Sequence, residues 1–414
     1  MESPEPEPGR CGIGSRSGPL PFAVRTLSFR GKDGESYRLI MQRLPLLSFI
    51  LLAAIPFASW AAPLTVFFGT SGKETKGIYQ ATFHPETGKL SPAKLAAEIG
   101  SPGFLALHPD KTSLYAVGRW DKSSGVIGYR IGPNHELTEF TRQANPDGGG
   151  AHIAVHPSGK FLLTAQYGGG STALFPLDEA GVLGEPTVTE HQGGSGVVPR
   201  RQEAPHPHWC GFSSDGAYAL VPDLGLDQIV IYKVDLSAST PAIHPHSTAD
   251  SVPGGGPRHM RFSPDEKFIY LLNELTLSVT TFAWDAATGT TEMLGVAPAL
   301  SEETKAAETF NSSAEILVHP SGKFVYSSNR GHDSISVYQA DPSTGALEVI
   351  QVQPVRGAFP RNINFDPSHT WVLAAGQDSD TIAAHRLDPE TGKLTYERGA
   401  IIHVPSPICI LFAP

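Results

Sequence analysis

Four residues of this chain combine the side chains of acid–base chemistry with those of anion binding: His208, Arg258, Glu274 and Arg330. An imidazole titrates near neutral pH and accepts a proton readily. Guanidinium groups bind carboxylate or phosphate in a bidentate manner and stabilise an oxyanion. A carboxylate orients an imidazole or donates a proton to a leaving group. The set therefore indicates acid–base chemistry on an anionic small molecule.

The spacing of these residues follows an internal repeat. Phrases such as Glu315-Ile-Leu-Val-His-Pro-Ser-Gly occur six times, and one turn residue marks the same place in each. The turn residues are His108, His156, Ser213, Ser263, His319 and Asp366, at intervals of 48, 57, 50, 56 and 47 positions. A period near fifty residues indicates a propeller or a solenoid. The propeller is favoured, because solenoid repeats are usually shorter and no helical periodicity intervenes.

Two positions in each repeat are expected to meet at one mouth of a central channel. The first strand of a blade lies nearest the channel, and the second strand runs antiparallel to it. The start of the first strand and the end of the second therefore lie on the same face of the propeller. The first set, five places before each turn residue, is Gly103, Ala151, His208, Arg258, Ala314 and Arg361. The second set, eleven places after it, is Arg119, Tyr167, Leu224, Glu274, Arg330 and Gln377.

These two sets predict a strongly cationic pocket, since they hold four arginines in a chain of low charge content. The competing interpretation is that they are ordinary solvated loop residues. The histidines of the His-Pro turns, His108, His156 and His319, belong to the opposite end of the first strand. We interpret them as turn-capping structure rather than as site residues.

The fold class that follows is an all-β, seven-bladed β-propeller. In the fifth repeat, Glu315–Pro320, Phe324–Asn329, Ser334–Ala340 and Leu347–Val352 are predicted to be the four antiparallel strands of one blade. The N-terminal strands after residue 63 resemble the later strands of a blade, and the C-terminal segment from Ile408 resembles a first strand. Their pairing would complete a seventh blade and close the ring.

Three segments are predicted along the chain. Residues 1–40 are a disordered extension or precede a true start at Met41. Residues 41–62 form a signal peptide, with Arg43, an apolar run from Leu44 to Phe57 and small residues at the end. An uncleaved anchor is the alternative, but the run is short for a membrane span and contains two prolines. The propeller occupies 63–414, and we expect an exported monomer, periplasmic or extracellular, without stable membrane insertion.

Charge excludes one class of partner. The formal net charge is −10 and there is no basic stripe, so nucleic acid is not an expected ligand. The chain also lacks a Gly-x-Ser-x-Gly nucleophile elbow: Gly193-Gly-Ser195-Gly is followed by Val197. Covalent serine catalysis therefore has no support.

Seven motifs, in order along the chain, resemble the bacterial lactonase family. Members of that family include the propeller-type 6-phosphogluconolactonase, and its fold is shared with the 3-carboxy-cis,cis-muconate lactonizing enzyme. The motifs are Pro205-His-Pro-His208, Val221-Pro-Asp-Leu-Gly225, Gly255-Gly-Pro-Arg-His-Met260, Leu272-Asn-Glu274, Ser328-Asn-Arg-Gly-His-Asp-Ser334, Pro360-Arg-Asn362 and Gly376-Gln-Asp-Ser379. The resemblance covers residues 64–414 and implies a seven-bladed propeller with His208, Arg258, Glu274 and Arg330 as the active site.

The resemblance implies hydrolysis of a sugar lactone without cofactor or metal. His208 is the expected general base, and Glu274 is expected to orient it or to protonate the leaving alkoxide. The remaining polar members of the two sets are expected to bind the substrate: Arg361, Arg119, Tyr167 and Gln377.

Which lactone is hydrolysed stays open, because the phosphogluconolactone pathway is cytosolic and this chain carries a predicted export signal. A muconate-type lactonizing activity and a non-catalytic binding propeller are the alternatives. A binding platform would show a large apolar patch, whereas the loops are polar; a metal-dependent site would need carboxylate and amide ligands where arginines stand.

Overall fold

The structure, a computed structural model, describes residues 62–414 except 73–74 and 238–239, together with two strands nearer the N-terminus. These strands, β1 (Leu27–Arg30) and β2 (Ser36–Leu39), pair as an antiparallel hairpin in a first compact unit, Met1–Ser59. They lie within the predicted N-terminal extension, residues 1–40, whose other residues are outside the described part of the chain. The predicted signal peptide lies outside the described residues except for Ala62.

The second unit, Trp60–Pro414, is a ring of seven antiparallel sheets. Six of them, here blades 1 to 6, contain four strands each in consecutive order. The seventh, the closing blade, has the order β31-β3-β4-β5, and β6 also pairs with β4. The six repeats correspond to blades 1 to 6, and the two ends of the propeller form the seventh, which confirms the predicted fold class.

The strands of blades 1 to 3 follow one another along the chain. Blade 1 contains β7 (Leu105–Leu107), β8 (Ser113–Trp120), β9 (Ser123–Ile131) and β10 (Leu137–Ala144). Blade 2 contains β11 (His152–Val155), β12 (Phe161–Gln166), β13 (Ser171–Pro176) and β14 (Thr187–Glu190). Blade 3 contains β15 (Gly211–Phe212), β16 (Tyr218–Asp223), β17 (Gln228–Asp235) and β18 (Ala242–Asp250).

Blades 4 to 6 repeat this arrangement, and one short helix, α1 (Glu302–Ala307), interrupts it. Blade 4 contains β19 (Pro257–Phe262), β20 (Phe268–Asn273), β21 (Ser278–Asp285) and β22 (Thr290–Pro298). Blade 5 contains β23 (Ser312–Val318), β24 (Phe324–Arg330), β25 (Ser334–Ala340) and β26 (Leu347–Pro354). Blade 6 contains β27 (Pro360–Phe365), β28 (Trp371–Gly376), β29 (Thr381–Leu387) and β30 (Leu394–His403).

The closing blade joins the two ends of the propeller. It contains β3 (Leu64–Thr70), β4 (Gly77–His84), β5 (Lys89–Leu90), β6 (Lys94–Glu98) and β31 (Pro407–Phe412). The C-terminal strand β31 pairs antiparallel with β3, with Leu411 opposite Phe67. This confirms the predicted ring closure, because strands from the two ends of the propeller pair within one blade.

The four strands of the fifth repeat lie where predicted, with small differences at their ends: β23 ends two residues earlier than expected, and β24 and β26 end one and two residues later. Strand β25 has the predicted bounds, whereas β23 begins at Ser312, three residues earlier than expected. The pairing of β23 with β24 is interrupted by a register shift between Ser313 and Ile316. Beyond this shift, Ser312 lies opposite Arg330. The alternation of apolar and polar residues is broken at this bulge. The sequence pattern therefore predicts a start of the strand that is three residues too late.

The second strand of each of blades 2 to 6 is buried along its whole length. It lies between the first and third strands of its own sheet, and both of its faces pack against neighbouring blades. This explains why each of these strands begins with an apolar run, Phe324-Val-Tyr326 in β24 for example. A polar residue that ends such a strand, as Arg330 ends β24, is therefore enclosed by protein.

The His-Pro turns have the structural role that the sequence suggests. Nε2 of His108 donates to the carbonyl of Gly159 (3.1 Å), and Nε2 of His156 donates to the carbonyl of Gly216 (2.9 Å). Each bond joins the turn of one blade to the turn of the next. These histidines therefore hold neighbouring blades together. Within the residues that the structure describes, no helix is long and apolar enough to span a membrane.

Candidate active site

Two arginines of the first set stand on β-bulges at the start of an inner strand. Arg258 falls between the pairs Pro257–Asn273 and His259–Leu272, and has no partner of its own in the ladder. Arg361 falls in the same way between the pairs made by Pro360 and Asn362. A bulged residue is freed from strand pairing and its side chain is re-aimed. The irregularity therefore turns these guanidinium groups toward the channel.

A cavity of about 580 Å³ opens at this mouth. Half of the twelve predicted positions line it: Gly103, Ala151, His208, Arg258, Arg361 and Arg119. No aspartate or glutamate is among its lining residues. The structure thus brings three arginines and one histidine, taken from four different blades, to a single cationic wall.

The remaining wall of this mouth cavity is built mainly from small residues, with Phe104, Val117 and Ile408 as its apolar part. Its other lining residues include Gly72, Gly100, Gly118, Gly149 and Gly150, with the hydroxyl residues Ser71, Thr75 and Ser101. Glycines leave the backbone open to close approach by a ligand. The cavity therefore combines a charged wall with a wall of backbone and hydroxyl groups, which suits a small polyhydroxylated anion.

Glu274 is the counter-ion of three arginines and lies behind the mouth cavity. Its Oε2 accepts hydrogen bonds from Nε of Arg258 (2.9 Å) and lies 3.1 Å from Nη2 of Arg330, and its Oε1 accepts from Nη2 of Arg201 (2.7 Å). Burial alone would raise the pKa of the carboxyl, but the charges of Arg330 and Arg258 hold it well below its usual range. Glu274 is therefore ionised at neutral pH.

His208 is buried between this carboxylate and the cavity. Its Nε2 lies 3.9 Å from Oε2 of Glu274, too far for a hydrogen bond, and its Nδ1 is enclosed without a partner. Burial, followed by the neighbouring charge of Arg258, holds the pKa of the imidazole well below its usual range. His208 is thus neutral near pH 7, with Nε2 as the nitrogen left for a ligand.

Three predicted residues lie beside the mouth cavity rather than on its lining. Arg330 is enclosed, donates from Nη2 to the carbonyl of Ser313 (2.8 Å) and lies over the ring of Phe359. Tyr167 packs edge-on against His208, with ring centroids 5.3 Å apart. Gln377 donates to the hydroxyl of Ser71 (3.2 Å), which is itself a lining residue.

Arg201 is a member of this cluster that the repeat comparison misses. Besides its bond to Glu274, it donates to the hydroxyl of Tyr167 (3.4 Å), and its side chain is 36% exposed. It comes from the long connection between β14 and β15. Gln202 anchors that connection by donating to Oδ1 of Asp227 (2.6 Å). The longest repeat interval, 57 positions, was the signal that an additional segment exists there.

A larger cavity of about 790 Å³ lies at the His-Pro turns and includes His108 and Arg130. Arg130 already donates to the hydroxyl of Ser113 and to the carbonyl of Ala180. Asp110 and Asp178 also line this cavity, so its charges largely offset one another. It lacks the concentrated positive charge of the mouth cavity. Among the described residues, no three His, Cys, Asp or Glu side chains are grouped to hold a metal ion.

The ring of seven blades and its cationic mouth define a β-propeller with a candidate small-molecule site at one end of the channel. A family model described as "Lactonase, 7-bladed beta-propeller" matches residues 65–412. The chain belongs to this lactonase family.

Several named proteins are similar over nearly their whole length. The chain is 34% identical over 355 residues to the 6-phosphogluconolactonase of Bacillus subtilis (strain 168), covering 84% of this chain and 99% of the relative. Its fold superposes on the periplasmic gluconolactonase of Pseudomonas aeruginosa with a TM-score of 0.78 and 26% identity, covering 85% of this chain and 99% of that structure. The similarity therefore extends across the whole propeller.

Proposed function

We propose that the chain hydrolyses a sugar lactone in the mouth cavity by metal-independent acid–base catalysis. The observation that carries the proposal is the buried, neutral imidazole of His208 beside the guanidinium groups of Arg258 and Arg361. Membership of the lactonase family supports it, as do relatives named 6-phosphogluconolactonase and gluconolactonase. One of these names specifies a phosphorylated lactone and the other does not. We therefore propose a sugar lactone as the substrate class, with or without a phosphate group.

In the first step, Nε2 of His208 takes a proton from a water molecule, and the water oxygen forms a bond to the lactone carbonyl carbon. The carbonyl π-electron pair moves to its oxygen, giving a tetrahedral oxyanion. Arg258 faces the same cavity and stabilises that charge by hydrogen bonding, whereas Arg361, on the same wall, binds the substrate. A neutral imidazole with a free lone pair is the form that this step requires.

In the second step, the bond between the carbonyl carbon and the ring oxygen breaks. The leaving alkoxide takes the proton back from the His208 imidazolium, which returns the imidazole to its neutral form. The product is an open-chain hydroxy acid, which ionises and releases one proton to solvent. One histidine therefore serves as base and then as acid.

Glu274 has a positioning role in this proposal. The carboxylate is bound by three guanidinium groups and is ionised, which disfavours the proton-donor role considered from sequence. Its distance from His208 also disfavours a direct orienting hydrogen bond. We assign it to holding Arg258 and Arg330 in place and to stabilising the imidazolium electrostatically when it forms.

Arg361→Ala is expected to weaken binding of an anionic lactone. The structure shows no hydrogen bond or ion pair for the Arg361 side chain among the described residues, and the side chain faces the cavity, so its charge is available to a ligand. Losing a hydrogen bond to a charged group costs about 1.5–3 kcal/mol, so KM is expected to rise about tenfold or more. Steady-state kinetics measure this, with Arg398→Ala on the exposed strand β30 as the charge-matched control. An unchanged KM would contradict the assignment.

The remaining polar positions complete the binding wall. Arg119 lines the cavity and is exposed, so we assign it to attracting the anion at the entrance. Tyr167 supports His208, and Gln377 supports the Ser71 rim through its hydrogen bond. These roles predict effects on binding rather than on the chemical steps.

The test of the function is a panel of lactones followed by proton release. It includes gluconolactone with and without a 6-phosphate, and a carboxylated muconolactone, each with and without a chelator. We expect hydrolysis of a sugar lactone at an unchanged rate with chelator, because arginines at the cavity repel a metal cation. Opening of the muconolactone alone, to the muconate by elimination without added water, would transfer the assignment to that chemistry. No hydrolysis of any member would favour a binding propeller.

We also propose that the protein is exported. The charged start, short apolar run and small residues of the 41–62 segment support this, as does similarity to a protein named as periplasmic. Cell fractionation with N-terminal sequencing tests it: a mature chain beginning near residue 63 in the exported fraction is expected. A full-length chain in the cytosolic fraction would contradict it.

A further inference from the structure

A second histidine, His259, lies directly behind His208 and is fully buried. It follows the bulged Arg258 on strand β19, and its ring centroid is 5.4 Å from that of His208, with the two rings inclined at 65°. The mechanism proposed above does not use it. Buried titratable groups next to a reacting residue are often there to control its protonation state.

The tautomer of His259 is fixed by Glu315 on the neighbouring strand β23. Nδ1 of His259 is 3.0 Å from Oε1 of Glu315. The same carboxylate accepts hydrogen bonds from Arg261 (3.0 Å), the amide of Ile316 (3.0 Å) and Asn362 (2.7 Å), so it acts as an acceptor throughout. Nδ1 of His259 must therefore carry the proton, and Nε2 of the neutral ring carries the lone pair.

Two nitrogens on these neighbouring rings are enclosed and have no partner. They are Nε2 of His259, an acceptor, and Nδ1 of His208, whose protonation is otherwise undetermined. A buried polar atom left unpaired costs about 1–3 kcal/mol, so such atoms are normally satisfied directly or through water. The ring centroids are 5.4 Å apart, which is close enough for facing ring nitrogens to share a hydrogen bond or one bridging water.

The surroundings of His259 favour its neutral form. The charged and titratable groups that face it are Arg258, Arg261, Arg330, Arg361, Glu315, His152 and His208. Burial, followed by the charges of Arg258 and Arg261, holds the pKa of His259 well below its usual range. His259 therefore remains an acceptor at Nε2 near neutral pH.

We propose that Glu315 and His259 form a buried positioning pair that holds His208 in the tautomer protonated at Nδ1. The Nδ1–H of His208 donates to Nε2 of His259, directly after a small ring rotation or through one water. Nε2 of His208 is then left with its lone pair on the cavity side, as a proton acceptor requires. The catalytic part of this inference rests on the proposed function, but the tautomer itself does not.

Paired substitutions of His259 test the pair. His259→Asn retains a donor near Nδ1 for Glu315 and removes Nε2, whereas His259→Gln places an amide oxygen near the lost Nε2. We expect His259→Asn to lower kcat about 10–100-fold with KM changed less than about threefold, and His259→Gln to recover part of the loss. The matched control is His152→Asn, another buried histidine, 5.5 Å from His259, whose Nδ1 already has the amide of Cys210 as a partner.

Nitrogen NMR of His208 supplies a readout that does not need activity. In the wild-type protein near pH 7 we expect protonation at Nδ1, and in His259→Asn a mixture of tautomers. Wild-type protonation at Nε2 would overturn the proposal whether or not any lactone is hydrolysed. An unchanged kcat in folded His259→Asn, or an equal loss in His152→Asn, would also overturn it. If no lactone is hydrolysed but Nδ1 is protonated, the proposed function fails and the positioning pair stands.

Discussion

Replacing His208 with alanine lowers kcat for lactone hydrolysis at least about a hundredfold, the usual contribution of a general acid–base group. The imidazole is the one titratable side chain on the cavity that is neutral at pH 7 and has an accessible nitrogen, and no carboxylate lines the cavity to replace it. Steady-state kinetics with the lactone hydrolysed in the panel measure the loss. Circular dichroism verifies that the propeller is intact.

His206→Ala is the matched control for this substitution. The His206 ring stacks on Tyr167 with centroids 4.6 Å apart, and it does not line the mouth cavity. We expect turnover to remain near that of the wild type. Near-wild-type turnover in folded His208→Ala, or a loss confined to His206→Ala, would show that the wrong histidine was assigned.

The pH dependence of the wild-type protein follows from the environment of His208. The base is the unprotonated imidazole, and a lowered pKa keeps it unprotonated to lower pH. We therefore expect kcat/KM to stay level as pH falls through 6.5, the ordinary histidine value, and to decline only below it. An acid limb at or above pH 6.5 that disappears in His208→Ala would contradict the buried, neutral imidazole.

Glu274→Gln is expected to destabilise the propeller by roughly 3–5 kcal/mol, as removal of one partner from a buried ion cluster typically does. The amide would leave the enclosed guanidinium groups of Arg258 and Arg330 without a counter-charge. The third partner, Arg201, is partly exposed and contributes less because solvent screens it. Urea unfolding measures the loss, and sulfate is expected to restore part of it by binding the arginines.

The control for this variant is Glu302→Gln, whose carboxylate pairs with Lys305 on α1 and is 87% exposed. Its unfolding free energy is expected to change by less than about 0.5 kcal/mol. Since the folded pKa of Glu274 is lowered, its stabilising contribution is complete above the ordinary value of 4.5 and declines as pH falls below it. Equal stability of Glu274→Gln and wild type at pH 7 would exclude the counter-ion role.

Much of the fold follows from the sequence because a repeat constrains it. Turn residues such as His156 recur at intervals of about one blade, and the apolar segments between them alternate or run continuously as strands do. Ring closure is predicted because the N-terminal and C-terminal segments of the propeller each resemble only part of a blade. The irregular start of β23 does not follow, because a β-bulge depends on pairing with β24 and breaks the pattern that identifies a strand.

The sequence predicts the candidate site less completely than the fold. Equal spacing in the repeats predicts where the backbone of a residue lies, but not where its side chain points. Arg258 and Arg361 do reach the cavity, whereas Arg330 is held behind it because β24 is buried to its last residue. The pairing of Glu274 with three arginines depends on distances across blades. Arg201 lies outside the repeat altogether, in an inserted connection. Proline before the bulged residue, in Pro257-Arg258 and Pro360-Arg361, is a signal that was available and unused.

The bulged positions affect how the ligand preference of such a protein can change through substitution. Because Arg361 stands outside the hydrogen-bonded ladder and, among the described residues, makes no hydrogen bond or ion pair, another side chain there leaves the strand pairing and the buried ion cluster intact. The equivalent places in two other blades hold small residues that line the cavity, Gly103 and Ala151, so a larger side chain there would face the ligand. Ligand preference can therefore drift by single substitutions, one blade at a time, while the framework is inherited unchanged.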